Sequence, residues 1–118
     1  MATLTEQLQS TLSPLAAGGS WYGINTTEPP VYPYIIFNRI VSSTNNTLSG
    51  PSNLQNTRVQ VDVFSLRQSD ASAIELAVEQ AMTAATAFGS IQISQQDTYE
   101  AEVKAFRCSA DFSVWSVN

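Results

Sequence analysis

The chain has no histidine and a single cysteine, Cys108. These two shortages remove most enzyme chemistry at the outset. Serine and cysteine nucleophiles activated by histidine need an imidazole, and there is none. Zinc sites draw several ligands from Cys and His, and one such residue cannot supply them. An intrachain disulfide is out of reach. Charge is scarce as well: 13% of residues are charged, about half the usual quarter. The basic residues Arg39, Arg58, Arg67, Lys104 and Arg107 are scattered singly among ten acids, for a net charge of −5. Binding a nucleic acid requires a clustered basic face to neutralise phosphates, and this distribution offers none. No apolar run approaches the roughly 18 residues that span a bilayer. The first residues, Met-Ala-Thr-Leu-Thr-Glu, lack the basic region and apolar stretch of a signal peptide. The expectation is a chain made and folded in a cytoplasm, with no membrane partner. The phosphate-binding patterns GxxxxGK[ST] and GxGxxG are missing, as are HExxH and CxxC. No catalytic, cofactor-binding or metal-ligating residue is expected, and no cofactor.

What is present suits a small structural module. At 118 residues the chain is expected to be a single domain, 1–118. Its 43% hydrophobic content is enough for one core. Ser, Thr, Asn and Gln take the place of the missing charge. A neutral polar surface of this kind suits a protein that buries much of its outside in an assembly.

Two segments alternate as half-buried strands must. In Arg58–Phe64, Val59, Val61 and Val63 fall on one face and Arg58, Gln60 and Asp62 on the other. Toward the C-terminus, Phe106, Cys108, Ala110, Phe112 and Val114 share a face, opposite Arg107, Ser109, Asp111 and Ser113. Cys108 is therefore expected to be a buried, inert thiol. Tyr34–Val41 is dense in β-branched and aromatic residues. Its apolar residues occur on both faces, which predicts a strand that is central or covered on both sides. Ile91–Ile93 is expected to be a short strand, followed by a turn at Gln95–Asp97. Tyr99 to about Val117 is expected to supply one long strand or two joined by a bulge.

Helical spacing appears twice. Over 3–17, Leu4, Leu8, Leu12 and Leu15 form a stripe, and Thr3 with Glu6 has the spacing of a capping box. Pro14 predicts a stop near Ser13, and Gly18-Gly19 the end of the segment. From Ser69-Asp70, the residues Ile74, Ala77, Val78, Ala81, Met82, Ala85 and Phe88 keep a three-and-four spacing. Glu75 and Glu79 are assigned to the solvated side of this helix, and Gly89 to its C-terminal cap. Residues 20–33 look irregular. Trp21 and Tyr22 either cover the edge of the core or form an exposed pair. The whole reads as a small α+β module.

Between the first two strands lie sixteen residues, Ser42–Thr57, without a single charge. Their turn formers, Asn45-Asn46 and Ser49-Gly50-Pro51, predict a long flexible loop at 42–57. An uncharged arm of this length is a candidate contact with a neighbouring subunit, and its candidate residues are Thr44, Asn45, Asn46, Thr47, Leu48, Ser49 and Gly50. Trp115 interrupts the apolar alternation of the last strand. It is either an exposed interface anchor or a core residue placed by a bulge.

The order of these segments resembles the tail-completion proteins of long-tailed bacteriophages, which are related in fold to the tail terminators of lambda-like phages. The resemblance rests on Pro33-Tyr34-Ile35, Arg58–Phe64 and Asp111–Trp115, and the sequence of elements extends it over nearly the whole chain. It implies a mostly antiparallel sheet with an N-terminal helix and a longer central helix packed on it. It implies a virion protein of the phage neck, with a host-cytoplasmic stage before assembly. The expected assembly is a homo-oligomeric ring, a hexamer, that caps the tail-tube protein and meets the head-side connector or stopper. DNA would pass through such a ring without specific binding, and acidic balance suits that passage. Position 42–57 corresponds to a family hairpin that makes inter-subunit or tube contacts. Two other readings stay open: a tail-tube or head-closure protein, and a small host ligand-binding α+β module.

Overall fold

The computed structural model describes residues 4–23, 31–47, 50–85, 88–101 and 105–117. Helix α1 spans Leu4–Leu12 and passes into a short 3-10 turn at Ser13–Leu15. The change of helix type falls at Pro14, which has no N–H to continue the α-helical ladder. Leu8 and Leu12 are fully buried, with Leu4 and Leu15 packed beside them, so the leucine stripe is the inner face. Thr3, the expected cap, lies outside the described residues. Gly19 has a φ of +78° and its N–H donates to the Ala16 carbonyl at 3.0 Å, closing the turn that leaves the helix. Gly18 is needed for a different reason: a Cβ there would collide with the carbonyl oxygens of Val31 and Pro33.

The short strand β1 (Ser20–Tyr22) lies within a stretch expected to be irregular. It runs parallel to β2 (Tyr34–Thr47) over Ile35–Phe37. Three residues carry no periodicity to read; the strand is made by its partners. Gly19 accepts a bond from the Ile35 N–H at 2.9 Å. Ser20 is tied to the first helix through its hydroxyl pair with Ser13 (2.7 Å) and through Gln9, whose amide donates to the Ser20 carbonyl at 2.9 Å.

Strands β2 and β3 (Gly50–Ser65) form a long antiparallel hairpin, from Tyr34 against Phe64 to Thr47 against Gly50. Here the structure corrects the expected loop: residues 42–47 and 50–57 are paired strand. Helix α2 (Gln68–Ala84) follows. Strand β4 (Gly89–Glu100) is twelve residues of strand where a short strand and a turn were expected, and Tyr99 and Glu100, expected to begin the last strand, instead end β4 and pair back antiparallel on Phe106 and Ala105. Strand β5 (Ala105–Val117) inserts between β3 and β4, giving one five-stranded sheet in the order β1-β2-β3-β5-β4. All pairings except the first are antiparallel. The fold class is α+β: a mostly antiparallel sheet with a short N-terminal and a longer central helix.

Both helices cover the same face of the sheet. Ile35, Phe37, Val59, Val61, Val63, Cys108, Ala110, Phe112 and Val114 project into a core shared with Leu8, Leu12, Ala71, Val78 and Met82. Phe37 and Phe112 are its largest fully buried side chains, each contributing about 1.5–3 kcal/mol by removal from water. The alternation read for β3 and β5 is borne out residue by residue. β2 is central, as expected, only at Ile35–Phe37, where β1 flanks it; from residue 38 on it has β3 as its single partner among the described residues. Only one of its faces meets helices, and Ile36 on the other face is half-buried.

Three expectations about α2 are corrected. Phe88 is buried but follows the helix instead of ending its stripe. Gly89 opens β4 and is no cap; Ala85 is already extended, and the Ser90 hydroxyl donates to the Met82 carbonyl at 2.9 Å. Glu75 is 4% exposed, not solvated. The long β4 lies over that flank of the helix, and the Gln92 amide donates to Glu75 Oε1 at 3.3 Å. Burial, and then the neighbouring charges of Glu79 and Asp97, push the Glu75 carboxyl above the usual carboxylate range, against the lowering effect of Gln92.

Candidate functional site

The helix-free face of the sheet is a ladder of polar side chains, set there by strand register. Opposite each inward Val of β3 stands a polar residue, and β5 and β4 place theirs alongside: Gln60 by Asp111, Asp62 by Ser109, and Thr98 by Arg107. The side chains cross-link the strands. Gln60 Nε2 donates to Ser109 Oγ at 3.0 Å and to Asp62 Oδ1 at 3.2 Å, and Asn56 Nδ2 donates to Ser113 Oγ at 2.8 Å.

The two arginines of this face are both held by carboxylates. Arg58 meets Asp111 at 2.7 Å near the solvent. Arg107 is inserted deeper, 3.0 Å from Asp62 and 3.1 Å from Glu100. Burial disfavours the Arg107 charge, but Asp62, and then Glu100, more than offset it, and the guanidinium is held above its ordinary range. Its Nε is buried without a partner, while the guanidinium carbon lies 5.9 Å from the centre of the Phe64 ring. Phe64 in turn stacks on Tyr34 with centroids 5.1 Å apart. Burial, and then the neighbouring Tyr32, push the Tyr34 phenol up. The face is thus polar, internally neutralised and closed at one end by aromatics. An anion such as a phosphate would find no unpaired arginine on it.

Beside the end of β4, a cleft of about 220 Å³ is lined by Gln68, Asp97, Thr98, Tyr99, Phe106, Arg107 and Cys108. This is smaller than the roughly 300–1,000 Å³ of drug-sized ligand sites. Burial, and then Asp97 beside it, push the Cys108 thiol up to about 12, so it stays protonated at neutral pH and is a poor nucleophile. Among the described residues no group of three or more His, Cys, Asp or Glu is placed to hold a metal.

The candidate contact residues fall at two places. Thr44, Asn45, Asn46, Thr47 and Gly50 belong to the distal end of the β2–β3 hairpin, where Thr44 pairs with Gln55, Asn46 with Pro51 and Thr47 with Gly50. Leu48 and Ser49 lie outside the described residues. Trp115 is on β5, half-buried, between Asn56 of β3 and Gly89 of β4 and on the helix-free face. β5 keeps an unbroken register with β3, so no bulge turns Trp115 into the core. Sequence reasoning passed over the Asp62–Arg107–Glu100 cluster. Its only signal was an acid and a base on matching faces of two strands, and their register is not a property of either segment alone.

The hairpin projects beyond the rest of the sheet. β1 covers β2 only at Ile35–Phe37, and β5 reaches β3 only as far as Leu54. Past those points the hairpin is a two-stranded ribbon among the described residues, at one end of a molecule 52 Å long and 26 × 25 Å across. No curated protein matches the chain. A family model described as "Tail completion protein gp17" matches residues 6–116.

Proposed function

We propose, from the premise that this chain belongs to the phage tail-completion family, that it forms a ring at the neck, a hexamer, which completes the tail and joins it to the head-side connector. As a family member it is a structural component of the virion tail. The finer reading has three parts: a homo-oligomeric ring, contact with the tail tube on one side and the head connector on the other, and a passage for DNA.

The observation that carries it is the projecting ribbon. An isolated two-stranded hairpin is marginally stable in water, and a third strand or a packed surface stabilises it. The segment 42–57 has no charge to keep it solvated alone. A neighbouring subunit or the tube end supplies the missing surface, with Thr44 to Gly50 at the contact. Trp115, half-exposed beside the base of the ribbon, is the second contact. The neutralised sheet face and the net charge of −5 suit a channel along which DNA slides without sticking.

The test is to replace residues 45–54 with a two-residue Asn-Gly turn, which closes the hairpin at the Thr44–Gln55 pair and keeps its register. The shortened chain is expected to fold and melt nearly as the parent does, and phage carrying it to yield filled heads beside unjoined tails. Normal particles would refute the contact role of the ribbon. The second reading, a tail-tube or head-closure protein, is separated by electron microscopy of phage with an early stop codon in this gene. Absent tails would indicate a tube protein, and unjoined tails or tails of uncontrolled length would place the chain at the joint. A host ligand-binding module predicts normal particles.

A further inference from the structure

The sheet has two open edges, and they match. On one side, β2 has no partner strand over residues 38–47 among the described residues, because β1 stops at the level of Phe37. On the other side, β4 (Gly89–Glu100) has β5 as its single partner strand among the described residues. Natural sheets guard such edges with charged side chains, lysine above all, and with proline, bulges or very short strands. Both edges are long and have no lysine or proline; their guards are Arg39 on one, Asp97 and Glu100 on the other, and an irregularity on each, and between these they leave isoleucines in the open.

Strand direction decides how they meet. β2, β3, β5 and β4 alternate strictly up and down, so the two outer strands of this set of four run in opposite senses. When a second copy is placed beside the first by rotation about an axis along the strands, its β4 lies antiparallel to β2 of the first. The helices of both copies stay on the same side of the joined sheet. An odd number of strands would have forced a parallel join.

The side chains agree with this placement. Following the pairings across the sheet, Arg39, Val59, Phe112 and Gln92 form one rung. Of the two irregularities of β2, at Ile40 and between Thr44 and Asn46, the first lies directly beside that rung on one side, and the irregularity of β4 falls at Ile93, directly beside it on the other. Each edge therefore has a kink beside this rung. At that height both present large apolar side chains to solvent: Ile40 is 48% exposed, Ile91 67% and Ile93 53%. Isoleucines left about half exposed or more, on two edges of one sheet and at one level, are accounted for when each edge covers the other.

We infer that the partner of the β4 edge is a second copy of this chain, whose β2 edge beyond Phe37 pairs with it antiparallel and extends the sheet from subunit to subunit. The contact is heterologous, so its repetition closes into a ring or runs on as a filament according to the rotation per step. It deepens the ring reading above, and that reading supplies only the closure.

The test uses single-cysteine exchanges at the exposed isoleucines, leaving the buried Cys108 in place. Ile40→Cys protein is mixed at millimolar concentration with Ile91→Cys or Ile93→Cys protein under mild oxidation. Leu76→Cys, equally exposed at 52% on α2, serves as the control. The expected result is disulfide-linked dimers between Ile40→Cys and a β4 variant, at least tenfold above the Leu76→Cys background. A chain carrying both Ile40→Cys and Ile93→Cys is expected to give a ladder of linked oligomers. Links confined to copies of one β4 variant, or yields at background, would overturn the inference. Electron microscopy of the linked material separates it from the ring reading. Linked filaments uphold the edge pairing and refute the closed ring; rings that form without these links do the reverse.

Discussion

Asp62→Asn is expected to destabilise the protein by about 2 kcal/mol, several times the effect of Asp111→Asn on the neighbouring strand. Both changes remove one carboxylate from an Asp–Arg pair and keep the side-chain size. The difference lies in burial. The Asp62 side chain is 7% exposed and its Arg107 partner 30%, whereas Arg58 and Asp111 are 48% and 19% exposed. Removing one member of a fully buried pair costs about 3–5 kcal/mol, because a charge is left without compensation. Arg107 keeps Glu100 at 3.1 Å and some water, which brings the figure toward the roughly 1.5–3 kcal/mol of a single hydrogen bond to a charged group. An exposed pair is worth about 0–1 kcal/mol and is screened by salt. Urea unfolding followed by tryptophan fluorescence gives the comparison, provided that the slope of free energy against urea is unchanged. A loss of 2 kcal/mol corresponds to a fall in Tm of about 6–12 °C for a domain of this size. Equal losses for the two variants, or less than about 0.5 kcal/mol for Asp62→Asn, would refute the argument that the Arg107 cluster, unlike the Arg58 pair, stabilises the sheet.

Glu75→Gln tests the buried carboxyl. The folded state holds its pKa above the usual value, so the native protein binds more protons than the unfolded chain between the ordinary glutamate value and the raised one, and stability falls as pH rises through that interval. The variant is therefore expected to melt higher than the parent at neutral pH and to converge with it in acid, below the ordinary glutamate value; melts that differ equally at both pH values would contradict this. Val61→Asp puts an unpaired charge at a site 1% exposed and costs several kcal/mol against a total of about 5–15, so no cooperative melt is expected. Gly18→Ala forces a Cβ against two backbone carbonyls. A loss of about 1–3 kcal/mol is expected in chemical denaturation, and an unchanged midpoint would show that the 31–33 segment moves aside freely.

The residues that build the core could be read from the chain alone, as could the class of fold. Alternation at Val59, Val61 and Val63 and at Cys108, Ala110, Phe112 and Val114, and the leucine stripe of the first helix, are local records of one-sided burial. They hold whatever the partner is, because a strand or helix against a core must turn its apolar face inward. The lack of histidine and of clustered basic charge likewise excluded chemistry without reference to structure. Tertiary structure decided everything that depends on a partner distant in sequence. β1 exists because α1 and β2 hold three residues in line. Residues 42–47 and 50–57 are strand held by backbone pairing, and such pairing leaves no apolar pattern in a run of Ser, Thr and Asn. Glu75 looked solvated because a helical period locates the centre of a buried stripe, not its width, and the width was set by how far β4 extends over α2. The Asp62–Arg107–Glu100 cluster and the matching heights of Ile40 and Ile93 follow from strand register. Register is fixed only when four strands meet, since each segment by itself is compatible with many alignments.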